Sequence, residues 1–122
     1  MTDLDLATGR YQTWRPSDGV PCSTTVGLPR FWGSRPQLED TRVLAPWGLL
    51  NLEGDEFDRR YLARLDARAD RIVATLDAIA ARHPGERLVL LCFEDVHAGQ
   101  HCHRRTFAEW WEQRFGVAVP EV

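Results

Sequence analysis

The chain has 122 residues, of which 43% are apolar, 27% charged and 10% aromatic, with a formal net charge of -3. This length and balance fit one globular domain over residues 1–122 and exclude a disordered or fibrous chain. The slight acidity excludes a broad nucleic-acid surface, which requires a strongly basic balance.

The start, MTDLDLATGRYQTW, carries acids where a secretory leader carries bases, and no apolar run reaches the ~18 residues that span a bilayer. A cytoplasmic protein without a membrane partner is expected, and its three cysteines, an odd number, are expected to be reduced thiols. All fifteen bases are arginine, which points to a GC-rich bacterial or phage genome. The absence of lysine removes Schiff-base catalysis and any Walker-type phosphate loop.

Residues 1–54 read as loop-rich with short strands. Val20 to Val26 (VPCSTTV) is β-branched and ends at Gly27 and Pro29. The Pro/Gly-dense stretch that follows, through FWGSRP to Gly54, is expected to form one wall of a cleft. Residues 55–122 form the helix-strand-helix portion. From Asp55, a plausible N-cap, the residues Phe57, Tyr61, Leu65, Ile72, Leu76 and Ile79 share one helical face, with a possible break near Asp66 and an end at Pro84-Gly85. Arg87 to Phe93 contains four consecutive apolar residues and suits a strand buried on both faces of a parallel sheet. Thr106 to Phe115 has helical spacing of Phe107, Trp110, Trp111 and Phe115, with Gly116 as its stop and VAVPEV as an edge strand or coil. The fold class is therefore α/β: a small Rossmann-like layered domain with a mostly parallel sheet flanked by helices, its ligand site at the carboxyl ends of the strands.

At that edge stands LVLLCFEDVHAGQHCHRR, residues 88–105. Cys102 begins a helix, where the dipole and a neighbouring Arg104 or charged His103 favour a thiolate, so it is the candidate nucleophile. Cys92 lies inside the apolar strand and reads as core. Glu94 is a candidate acid/base or a cap for the helix start at Gln100-His101-Cys102, which lacks Ser, Thr, Asp and Asn. Arg104, joined by Arg30, fits an anion, and Trp32 could stack on a planar ligand. His97 reads as a loop residue, Arg105 as a surface or structural partner, and His83 as a helix C-terminal residue.

LLCFE followed by CHR and an aromatic-rich helix resembles the bacterial domain-of-unknown-function family 488, whose members show a leucine-rich strand ending in Cys-x-Glu and then Cys-His-Arg. Phe57 and Tyr61 also resemble that family's pattern, which places Tyr61 among the expected ligand-binding residues. The likeness covers residues 55 to 116. Upstream, the family has an Asp-x-Arg strand motif followed by proline, whereas this chain has TTVGLPR with Pro29 and Arg30 and no such aspartate. The resemblance implies an α/β fold and no particular reaction.

The expected function is binding of a small anionic molecule, a nucleotide or phosphorylated metabolite, with thiol-dependent catalysis by Cys102, proton transfer by His103 or Glu94, and anion contacts from Arg104, Arg30, Trp32 and Tyr61. One alternative is a zinc- or iron-binding module using Cys102, His103, His101 and Cys92. Another is a non-catalytic interaction domain. Sequence assigns no cofactor and no protein partner.

Overall fold

A computed structural model describes residues 4–33 and 35–122. The acidic start therefore lies partly outside the described residues, at 1–3, as does Ser34 of FWGSRP. Four strands, β1 (Leu6–Arg10), β2 (Val20–Ser23), β3 (Glu39–Asp40) and β4 (Leu88–Cys92), pair in parallel in the order β1-β4-β2-β3. The strand expected at Arg87 to Phe93 is thus the central β4. Leu6 to Arg10 pair with Leu88 to Cys92 on one side, and Val20 to Ser23 pair with Leu88 to Leu91 on the other. All five β4 residues are buried, as expected of a strand covered on both faces.

The sequence reading missed β1. LATGR mixes a threonine and a glycine into a short run, so its own propensity is weak, and pairing with β4 decides its conformation. The carboxyl-terminal tail joins the outer side of β1. Thr8 bridges Glu121, the Thr8 amide donates to the Pro120 carbonyl at 2.8 Å, and the Val122 amide donates to the Thr8 carbonyl at 2.8 Å.

Three helices complete the chain: α1 (Gly54–Ala67), α2 (Ala69–Arg82) and α3 (His103–Phe115). The expected break falls at Arg68, whose amide bonds back to Arg64. Gly116 ends α3 in the left-handed conformation that glycine adopts without strain. All three helices pack on one face of the sheet. Tyr61, Ile72, Leu76, Phe107 and Trp111 share a core with Leu6, Cys22, Leu88 and Leu90. Val89 and Leu91 point the other way, into a smaller aromatic cluster of Tyr11, Trp14 and Trp32. Period-two alternation along β4 thus divides its leucines between a helical layer and a loop layer. Trp110 and Trp111 are both buried, and the Trp110 indole donates to Asp66 Oδ1 at 2.8 Å.

Two local features hold the frame. At Gly19 (φ +133°) an added Cβ would lie 2.4 Å from the Arg87 carbonyl oxygen, which accepts the Val20 amide where β2 begins. At the other end, Arg104 is buried and gives Nε and Nη2 to the two oxygens of Glu121 at 3.0 and 2.7 Å, the fork-on-carboxylate geometry of a strong pair. Arg105 supports the same corner through Thr8 Oγ1 and the Val119 carbonyl. Burial raises the Glu121 carboxyl, but hydrogen bonds from Arg104 and Thr8 outweigh it and leave the pKa below the ordinary glutamate value.

Two stability predictions follow from these features. Glu121→Ala strands a buried guanidinium and is expected to lower the unfolding free energy by about 3–5 kcal/mol in urea titration. Because the Glu121 pKa is lowered by folding, this contribution is full above the unfolded carboxyl range and is lost as pH falls through the folded value. Gly19→Ala is expected to cost roughly 1–3 kcal/mol from backbone strain in the same assay. Unchanged midpoints would show that neither contact matters.

Candidate functional site

The carboxyl end of β4 and the start of α3 bring Cys92, Glu94, Cys102 and His103 together, so that one ligating atom from each lies within 4.8 Å of the others. Cys92 is the last residue of β4, on the same face as Leu88 and Leu90, and it therefore points toward the helices. Cys102 is the N-cap residue of α3 and His103 is the first helical residue. All three are buried, while Glu94 is half-buried.

The imidazole is the organising group. His103 Nε2 lies 2.8 Å from the Thr24 carbonyl oxygen, so this nitrogen carries the hydrogen. Thr24 Oγ1, at 3.1 Å from the same nitrogen, donates its own hydrogen to the Leu91 carbonyl at 2.8 Å. With Nε2 committed in this way, Nδ1 is the nitrogen that faces the sulfurs, 3.8 Å from both Cys92 Sγ and Cys102 Sγ. The Tyr61 ring meets the imidazole edge-on at a centroid distance of 5.7 Å, and its hydroxyl donates to the Leu44 carbonyl.

The two sulfurs are free thiols 2.7 Å apart, and Glu94 Oε1 lies 3.2 Å from Cys92 Sγ. Such a pair holds one proton more readily than two or none. The hydrogen bond from the Cys102 thiol, reinforced by His103, pulls the Cys92 pKa down to about 3 despite burial. Burial and the neighbouring Cys92 charge push Cys102 up. Burial and that same charge also raise the Glu94 carboxyl. The remaining cysteine, Cys22, is raised to about 12 by burial in the core.

Cys92, Glu94 and His103 line a cavity of about 200 Å³, walled mainly by Thr25, Val26, Pro46, Leu50 and Phe93. A second cavity of about 180 Å³ adjoins it and shares Pro46, Leu50, Glu94 and His103. The Pro/Gly-dense stretch does supply a wall, through Gly27, Pro46 and Leu50.

Several expectations change here. Cys92 is buried, as expected, yet it also lines the cavity, whereas Cys102, the expected nucleophile, stands behind it and does not. The apolar run argued for a buried Cys92. It was silent about the thiol and imidazole that three-dimensional packing places beside it. Glu94 turns to the sulfurs instead of capping α3, and Cys102 makes no side-chain capping bond. Arg104 is consumed by Glu121, and Arg30 is exposed on a turn and lines neither cavity. No lysine or arginine lines either cavity, so the expected anion clamp is not assembled there.

Trp32 lies apart from this site and lines a different pocket with Arg35 and Arg42. Its ring packs against Trp14 and Tyr11, its indole donates to the Pro36 carbonyl, and the Arg35 guanidinium covers it. Tyr61 buttresses His103 and lines neither cavity. His101 leaves the cluster to pair with Asp58 at 3.0 Å, so the donor set that could hold a metal is Cys92, Glu94, Cys102 and His103. His83 pairs with Glu39 at 2.6 Å at the end of α2. Thr24 and Thr25 were missed. The rule that parallel strands present ligands at their carboxyl ends, applied to VPCSTTV as it was to LLCFE, would have found both.

Comparison with protein-family models, curated proteins and solved structures finds no match for this chain.

A depressed Cys92 pKa means that its thiolate persists as pH falls below the usual thiol range. Alkylation of Cys92 is expected to change little between pH 8 and pH 6, where a free thiol of pKa ~8.5 slows by about two orders of magnitude. His103→Ala, which removes one source of this depression, is expected to shift the rate profile toward higher pH. A wild-type profile with the free-thiol slope would refute the shared-proton description.

Proposed function

We propose that the protein carries out thiol-dependent chemistry on a small, largely uncharged molecule held in the cavity beside Cys92. The observation that carries this reading is the environment of one sulfur: Cys92 lines the cavity while a thiol at 2.7 Å and Nδ1 of His103 at 3.8 Å stand behind it. Cys92 attacks as the thiolate, Cys102 holds and returns a proton, and His103, oriented by Thr24, positions both sulfurs. Glu94, 3.2 Å from Cys92 Sγ and lining the same cavity, is placed to relay a proton to a departing group.

The apolar walls and the Glu94 carboxyl favour an uncharged ligand over the nucleotide or phosphorylated metabolite first expected. The motif residues that resemble domain-of-unknown-function family 488, Cys92, Glu94, Cys102 and His103, are the ones that form this site, which supports kinship with that family. No helix among the described residues is long and apolar enough to cross a membrane, and reduced thiols suit a bacterial or phage protein working in the cytoplasm.

Iodoacetamide at one equivalent and pH 6, followed by peptide mapping, tests the assignment. Cys92 is expected to be alkylated first, with Cys102 and Cys22 spared, and Cys92→Ser is expected to abolish fast labelling. Labelling of Cys102 or Cys22 ahead of Cys92 removes Cys92 as the nucleophile.

The four-donor set supports a second reading, a zinc or iron site. A metal-ligating histidine ordinarily gives its other ring N–H to a carbonyl, as His103 does to Thr24. This reading requires about one equivalent of metal in the isolated protein, lost in Cys102→Ala. A metal-free native protein that labels rapidly at Cys92 rejects it.

A further inference from the structure

We infer that Cys92 and Cys102 act together as a dithiol that reduces a small hydroperoxide. The inference rests on the thiol reading above and names its substrate class. Three geometric facts point to it. The sulfurs face each other at 2.7 Å although they are ten residues apart and belong to different elements, one ending a strand and the other opening a helix. A disulfide bond of about 2.05 Å therefore needs only a slight approach of two side chains. Cys92 is 1% exposed, so the atom that reaches it must be small and terminal. The outer oxygen of a hydroperoxide meets that requirement, whereas a disulfide substrate presents a sulfur flanked by bulk on both sides. The apolar cavity then receives the organic group.

In the first step the Cys92 thiolate attacks the terminal oxygen of R–O–OH. An S–O bond forms, the O–O bond breaks, and RO⁻ takes a proton from solvent to leave as ROH. The product is a Cys92 sulfenic acid. In the second step the Cys102 sulfur attacks the Cys92 sulfur. The S–S bond forms, the S–O bond breaks, and the departing hydroxide takes the proton given up by Cys102 to leave as water. The two sulfurs are oxidised by two electrons and the peroxide is reduced by two. An external thiol, by disulfide exchange, returns the pair to its starting state. Cys102 is thus a resolving thiol, because Cys92 lines the cavity and Cys102 stands behind it.

The reduced full-length protein, as isolated and without chelator, is mixed with one equivalent of cumene hydroperoxide and followed by intact mass and peptide mapping. The expected result is loss of two hydrogens, a Cys92–Cys102 link that dithiothreitol reverses, and a rate about tenfold or more above that of free cysteine. Cys102→Ser, which keeps the attacking sulfur, is expected to gain one oxygen at Cys92 that dimedone traps. Cys92→Ser is expected to react no faster than free cysteine. A wild-type rate equal to free cysteine, or oxidation confined to Cys22, overturns the inference. If iodoacetamide still labels Cys92 first while the hydroperoxide leaves the pair untouched, the dithiol inference falls and the thiol reading stands. If neither reagent selects Cys92, both fall.

Discussion

The hydrogen bond from His103 Nε2 to the Thr24 carbonyl is the contact on which the site depends. It ties the end of β2 to the first residue of α3 and, through the Thr24 hydroxyl and Leu91, to the end of β4. It also orients the ring, because a nitrogen facing a carbonyl must carry a hydrogen, and this turns the other nitrogen toward the sulfurs. Without that bond the imidazole would be free to present either nitrogen to the sulfurs. The position of the two cysteines is set by secondary structure, whereas their chemistry is set by each other, by this ring and by Glu94.

The surrounding packing explains why the ring can be held so firmly. Tyr61 is fixed at its hydroxyl by Leu44 and at its ring by the imidazole, so α1 reaches the site through an aromatic face. Arg104, the next residue after His103, points away from the cavity and is anchored by Glu121 at the opposite side of the first helical turn. The start of α3 is therefore gripped from two directions. A helix that lacks a side-chain cap is positioned here by the side chains that leave its first turn.

Much of the architecture was legible in the sequence because it followed from periodicity. The run LVLL announced a strand covered on both faces, and the spacing from Phe57 to Ile79 announced a helical face that now covers the sheet. Gly116 marked a helix end through its tolerance of a left-handed backbone. The weak strand LATGR was not legible, since its conformation comes from a partner more than eighty positions away. At the site, the motif residues were found, but the contacts each one makes were not. Burial of Cys92 was read from its apolar neighbours along the chain, while its charge depends on Cys102, His103 and Glu94 across space. In the same way Arg104 looked like an anion ligand until folding placed Glu121 against it, and Trp32 looked like part of the same site until folding set it apart with Trp14 and Tyr11.

The opposite orientations of His103 and Arg104 have a consequence for how such a chain can change. Successive helical residues point about 100° apart, so one residue inserted or deleted within Cys102-His103-Arg104 would swing the imidazole off Thr24 and the guanidinium off Glu121 together. Between Glu94, which faces the sulfurs, and His101, which pairs with Asp58, the turn at Val96–Ala98 is capped locally by Asp95 and touches no part of the site. A change of chain length is therefore tolerated within that turn and not within the triplet.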